Sequence, residues 1–197
     1  MTWVKVCGLT HPQDVVAAVA AGADAIGFVT VPGSPRFVTL ERAGELAAGA
    51  SVHTVLLTVD LAPAEALDAL RKTEIGGIQP YGRHAEETAA AALDAGFLVL
   101  FPQKAGPQMT VGGPGIPLVD TPSRDALGGT GVTFEWQLVA DITERFVLAG
   151  GLGPHNVREA VREVRPWGVD ASSGLERTPG RKDHGMVADF ITKAKDT

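Results

Sequence analysis

Cys7 is the only cysteine of the chain and directly follows the apolar run Val4-Lys5-Val6, with Gly8 beside it. A thiol of ordinary acidity is about 3% ionised at pH 7, enough for a base or a nucleophile. Free cysteine is equally a small packing hydrophobe, and position alone leaves both readings open. Asp120 ends the run Ile116-Pro117-Leu118-Val119. After a strand an aspartate commonly caps a turn; the alternative is an acid or base at a strand end. To donate a proton at neutral pH it needs a raised pKa, from burial or from a nearby anion such as an ionised Cys7. Three segments, Gly128-Gly129-Thr130-Gly131, Gly150-Gly151 and Ser172-Ser173-Gly174, carry backbone N–H groups that little side-chain bulk obstructs. Singly each is a turn; together they fit a phosphate cradle. Arg36, in Gly33-Ser34-Pro35-Arg36, is either a solvated loop residue or a planar fork for a carboxylate. Asp170 is either an orienting acceptor or a turn partner.

These residues share a place in the pattern of elements. Short apolar strands are predicted over Trp3–Val6, Asp24–Val29, Val52–Val59, Ile75–Gln79, Phe97–Phe101, Ile116–Val119, Arg145–Ala149 and Gly168–Ala171. Between them the apolar spacing predicts helices over Pro12–Ala21, Leu40–Ala48 (with Thr39 as N-cap), Ala64–Lys72, Ala85–Ala95, Phe134–Ala140, Asn156–Val164 and His184–Lys195. Gly22, Gly96 and Gly168 each stand between a helix and the next strand, where a left-handed residue closes a helix. Alternation of this kind gives a parallel sheet with right-handed crossovers. Eight units favour closure into a small (βα)8 TIM barrel over an open doubly wound sheet. Gly106, Pro107, Gly112, Gly113 and Pro114 predict a loop in place of the fifth helix. In such a barrel the C-terminal strand ends carry the chemistry, and there the candidates fall.

Composition removes several other functions. The 197 residues are 45% hydrophobic and 20% charged, proportions of a globular chain, here expected to form one domain over residues 1–197. Net charge is −6 without a basic cluster, which disfavours a nucleic-acid reader. No apolar run spans a bilayer, and the N-terminus lacks the sectors of a signal peptide, so a cytoplasmic location and no membrane partner are expected. One cysteine excludes an internal disulfide and a Cys-cluster zinc site. The five histidines form no HExxH or i, i+4 pair and read as structural or solvated, so no metal is implied.

Taken in order, Lys5-Val6-Cys7-Gly8-Leu9-Thr10, Gly22-Ala23-Asp24-Ala25-Ile26-Gly27-Phe28, Ser34-Pro35-Arg36, Gly128–Gly131 before Phe134-Glu135-Trp136, Leu148-Ala149-Gly150-Gly151-Leu152 and Asp170-Ala171-Ser172-Ser173-Gly174-Leu175-Glu176 resemble the phosphoribosylanthranilate isomerases of tryptophan biosynthesis. Pro179-Gly180-Arg181-Lys182-Asp183 extends the resemblance. It implies a (βα)8 barrel, a loop in place of helix five, and a cofactor-free Amadori rearrangement of a phosphosugar. By motif, Cys7 would be the general base and Asp120 the general acid. Arg36 would hold the anthranilate carboxylate, Asp170 would contact substrate, and Gly129, Thr130, Gly131, Gly150, Gly151, Ser172, Ser173 and Gly174 would hold the phosphate. The family occurs as monomers and homodimers. After strand four the family usually reads Gln-Leu-His-Gly; here it is Gln79-Pro80-Tyr81-Gly82. Val132 and Glu135 also depart from the usual pattern. Two other functions stay open: a dual-substrate isomerase that also serves the histidine pathway, and a degenerate barrel that binds phosphate ligands without turnover.

Overall fold

The computed structural model describes residues 1–106, 109, 111–120 and 136–197. Eight parallel strands close on themselves in chain order: β1 (Trp3–Val6), β2 (Ala25–Val29), β3 (His53–Val59), β4 (Gly77–Tyr81), β5 (Leu98–Lys104), β6 (Ile116–Asp120), β7 (Val147–Ala149) and β8 (Gly168–Ala171). The seam is β1 against β8, where Lys5 lies opposite Asp170. Six helices pack outside: α1 (Pro12–Ala20), α2 (Leu40–Ala47), α3 (Pro63–Thr73), α4 (Ala85–Asp94), α5 (Val157–Val164) and α6 (His184–Lys195). No helix among the described residues is long and apolar enough to cross a membrane.

Alternation along each strand divides the residues between two environments. Val4, Val6, Ile26, Phe28, Leu56 and Ile78 face outward into the main core beneath the helices. Val55, Leu100, Leu118, Val147 and Ala149 fill the barrel interior. Trp3 and Trp167 close its N-terminal end, with ring centroids 5.0 Å apart and the Arg145 guanidinium 3.6 Å from the Trp167 ring. With that end packed, the C-terminal mouth is left for a ligand.

The predicted strands and most helices match the observed ones to within a few residues, and the Thr39 hydroxyl does accept from the Arg42 N–H at the start of α2. Among the described residues between β5 and β6 none is helical, and β5 itself runs on to Lys104. Three expectations need correction. The helix expected over Phe134–Ala140 is, in its described part, one 3-10 turn at Trp136–Leu138. Gly22 and Gly96 have the left-handed φ of helix terminators, but Gly168 does not. Arg165 closes α5 instead, while Gly168 is small because a methyl there would meet the Trp3 ring at 2.9 Å. Finally, Glu176–Thr178 and Arg181–Lys182 form an antiparallel hairpin, β9 and β10, absent from the predicted elements. Thr10 Oγ1 donates to Gly180 O at its turn, 2.6 Å, so the hairpin is tied to the loop after β1.

Candidate active site

A cavity of about 300 Å³ opens at the C-terminal ends of the strands. Cys7, Arg36, Asp120, Gly150, Gly151, Asp170, Ser172 and Ser173 all line it, together with Gln79 and Tyr81. Topology alone brings them together, because each leaves the sheet at the same end. Gly129, Thr130 and Gly131 lie outside the described residues. Gly174 is not in the lining: a methyl there would run into the Leu152 carbonyl, so it lets the loops after β7 and β8 pack together.

Cys7 is almost wholly buried, 4% exposed. Burial pushes its thiol upward, Lys5 and Lys182 pull it down, and Asp170 adds to the rise. The folded chain therefore holds less thiolate than a thiol of ordinary acidity would. Gly8, at φ +75°, lets Arg36 and Ser172 approach the backbone after Cys7: a Cβ there would lie 2.6 Å from Arg36 Cδ and 2.8 Å from Ser172 Oγ. Asp120 sits across the mouth at the end of β6, exposed at the rim. Its pKa is raised, first by partial burial and then by Asp170, with Lys104 opposing. The expected anion beside it is thus Asp170 and not the Cys7 thiolate.

Beneath Cys7 is a polar chain that sequence reasoning missed. Lys5 is fully buried; its Nζ donates to Asp170 Oδ2 at 2.9 Å and to Gln79 Oε1 at 3.0 Å. An ammonium only donates, so Gln79 must turn its oxygen to Lys5 and its amide N–H₂ outward. Gln79 Nε2 then donates to Tyr81 Oη at 2.8 Å. That leaves the phenol's own proton for the pocket, and burial keeps Tyr81 neutral by pushing its pKa up. The signal was available: in a period-two strand Lys5 points the same way as Cys7, and Asp170 the same way as Ser172.

Arg36 is neither solvated nor idle. Its Nε and Nη2 each donate to Glu176 at 2.7 Å. Glu176 also accepts from Lys182 Nζ at 3.0 Å. Burial acts to raise the Glu176 pKa, but Arg36 and Lys182 outweigh it and hold the carboxyl below its usual range. The pairing occupies one edge of the guanidinium and leaves Nη1 without a partner among the described residues. Two buried polar atoms of the lining also lack partners, Asp170 Oδ1 and Ser172 Oγ. Buried polar atoms are rarely left so, and a polar ligand in the cavity would satisfy both. No histidine lines the cavity, and no cluster of metal-ligating groups occurs among the described residues.

A parallel barrel closed in chain order, with a polar cavity at its C-terminal mouth, belongs to the (βα)8-barrel class, whose enzymes carry their chemistry at that end. Residues 4–193 match the family model of N-(5'-phosphoribosyl)anthranilate (PRA) isomerase. The chain is 39% identical over 208 residues to the N-(5'-phosphoribosyl)anthranilate isomerase of Trichlorobacter lovleyi, covering 100% of this chain and 99% of that protein. The crystal structure of the phosphoribosyl anthranilate isomerase of Thermotoga maritima superposes with a TM-score of 0.86 at 33% identity and complete coverage of both chains. A further crystal structure, of phosphoribosyl anthranilate isomerase in complex with reduced 1-(o-carboxyphenylamino)-1-deoxyribulose 5-phosphate, matches with a TM-score of 0.84 at 31% identity, again over both whole chains. The chain belongs to the N-(5'-phosphoribosyl)anthranilate isomerase family.

Proposed function

We propose that residues 1–197 work as one barrel domain that converts N-(5-phosphoribosyl)anthranilate to 1-(2-carboxyphenylamino)-1-deoxyribulose 5-phosphate, with Asp120 as acid and Cys7 as base. The observation that carries this reading is that the Cys7 thiol and the Asp120 carboxyl line the same cavity from the ends of β1 and β6. Protonated Asp120 gives its proton to the furanose ring oxygen as the bond from C1′ to that oxygen breaks. The nitrogen lone pair forms the C=N bond of a Schiff base. Cys7 thiolate then takes the C2′ proton, and the electron pair left behind makes an enolamine. Protonation at C1′ with loss of the C2′ hydroxyl proton yields the ketone. Ser172, Ser173, Gly150 and Gly151 supply donors for the phosphate, and Asp170 Oδ1 accepts from a substrate hydroxyl or amine.

The Arg36 guanidinium can serve two carboxylates at once. Glu176 holds the Nε–Nη2 edge and thereby fixes the plane, and the Nη1 side receives the anthranilate carboxylate. Charge-assisted hydrogen bonds of this kind contribute about 1.5–3 kcal/mol. Arg36→Ala is accordingly expected to raise KM by about 10- to 100-fold, with a smaller change in kcat. Steady-state kinetics checks this; an unchanged KM would leave Arg36 as a partner of Glu176 only.

The reaction itself is tested by mixing purified protein with freshly generated substrate and following the loss of anthranilate fluorescence. Decay dependent on the protein supports the isomerase. Absence of decay, with a reduced product analogue still bound, would reduce the chain to a binding barrel.

A further inference from the structure

A lysine with no accessible surface, at the centre of a barrel, is not explained by stability. Its desolvation is expensive, and a buried ion pair can often be replaced by apolar residues of similar volume without loss. Lys5 has three N–H donors, of which Asp170 and Gln79 take two. The third is within reach of the Cys7 sulfur, with which Lys5 interacts by charge and by a side-chain hydrogen bond. Cys7 is two residues on, just past the end of β1, where its N–H still bonds to Ala171 O, so its side chain leaves the same face. Both groups press on Gly27: a methyl on that glycine would lie 2.9 Å from Cys7 Sγ and 3.3 Å from Lys5 Nζ. Sulfur and ammonium thus share the space that the missing side chain vacates.

We propose that Lys5 is a positioning residue for the reaction, the buried counter-cation that turns its third N–H to the Cys7 sulfur when the thiol ionises. The proposal rests on the reading of Cys7 as base. In the resting site the Lys5–Asp170 pair is neutral, and the anchor at Asp170 and Gln79 fixes where the cation sits. When the thiol gives up its proton, the cation is already in place and no reorganisation is needed. Burial acts to lower the Lys5 pKa, but Asp170 and Cys7 outweigh it, so the ammonium stays charged throughout the working range. The charged and titratable groups facing the sulfur are Lys5 on its own strand, Asp170 on β8 and Lys182 on β10. Arg36, Tyr81 and Asp120 stand further out around the cavity.

Because Cys7 is the sole cysteine, the rate of its alkylation by iodoacetamide, followed against pH in substrate-free enzyme, reports its ionisation without turnover. Lys5→Met should move the midpoint of that curve to higher pH by about one pH unit or more, and Asp170→Asn should move it to lower pH. A purely structural role for the pair predicts that both variants shift the curve in the same direction or leave it where it is. If Lys5→Met does not fold, because Asp170 is left buried without its cation, Lys5→Met with Asp170→Asn restores neutrality. That double variant is compared with Asp170→Asn alone, and its curve should again lie at higher pH. Opposite shifts for the two single changes support the proposal; an unmoved curve in Lys5→Met, or shifts of the same sign, overturns it. Absence of turnover in the unsubstituted protein, with the opposite thiol shifts intact, would instead count against the isomerase reading.

Discussion

Replacing Cys7 by alanine is expected to lower kcat by about a thousandfold while the affinity for a reduced product analogue stays within about threefold of wild type. Positioned general bases contribute about 10²- to 10⁴-fold. Tyr81 is the nearest alternative, but its phenol is kept neutral by burial and accepts the Gln79 amide. The Asp170 carboxylate is committed through Oδ2 to Lys5. Affinity should survive because the proposed ligand contacts, at Arg36 and at the loops after β7 and β8, do not involve the sulfur. Fluorescence turnover and equilibrium titration with the analogue separate the two effects. A kcat within about tenfold of wild type would remove Cys7 from the proton transfer.

The same geometry sets the relation of acid to base. Partial burial and Asp170 raise Asp120, which favours a proton donor. Asp170 also raises Cys7, which disfavours the thiolate. An aspartate placed there alone would help one partner and hinder the other. Lys5, bound to that aspartate, offsets the second effect at the sulfur and is not among the groups that act on Asp120. Each pH unit by which the two pKa values approach multiplies the share of molecules carrying a protonated acid and an ionised base about tenfold.

How much of this could be read from the chain follows from the range of each interaction. Strand ends are local: Cys7 after Val4-Lys5-Val6 and Asp120 after Ile116–Val119 are recognisable without a fold, and barrel closure then puts them at one mouth. Glu176 and Arg36 are 140 residues apart, and Lys5 and Asp170 are 165 apart. Their pairing depends on the β1–β8 seam and on a hairpin whose strands are three and two residues long, too short for any periodicity. Gly168 escapes a local reading for a related reason: its smallness answers the Trp3 ring across the seam, while Arg165 closes α5. Lys5 was the recoverable omission, since strand alternation already pointed it inward beside Cys7.

The second large effect belongs to Asp120. Asp120→Asn keeps the shape and removes the proton, and should lower kcat/KM at neutral pH by about 10²- to 10³-fold. The pH profile carries the more specific signature. In the proposed mechanism the productive form has Asp120 protonated and Cys7 ionised, while the commoner form with the same number of protons has them reversed, because the thiol is the weaker acid. Activity therefore rises with pH through the carboxyl titration, holds level, and falls again once the thiol titrates. These midpoints belong to the pair and not to either group alone. Without the acid, activity depends only on thiolate, so it should climb through the thiol titration and then stay level. The deficit of Asp120→Asn is thus largest at and below neutral pH and shrinks as pH rises. Measuring kcat/KM from about pH 5 to pH 10 decides the matter. A wild-type rate, or a profile that still falls on the alkaline side, would place the acid on another residue of the mouth.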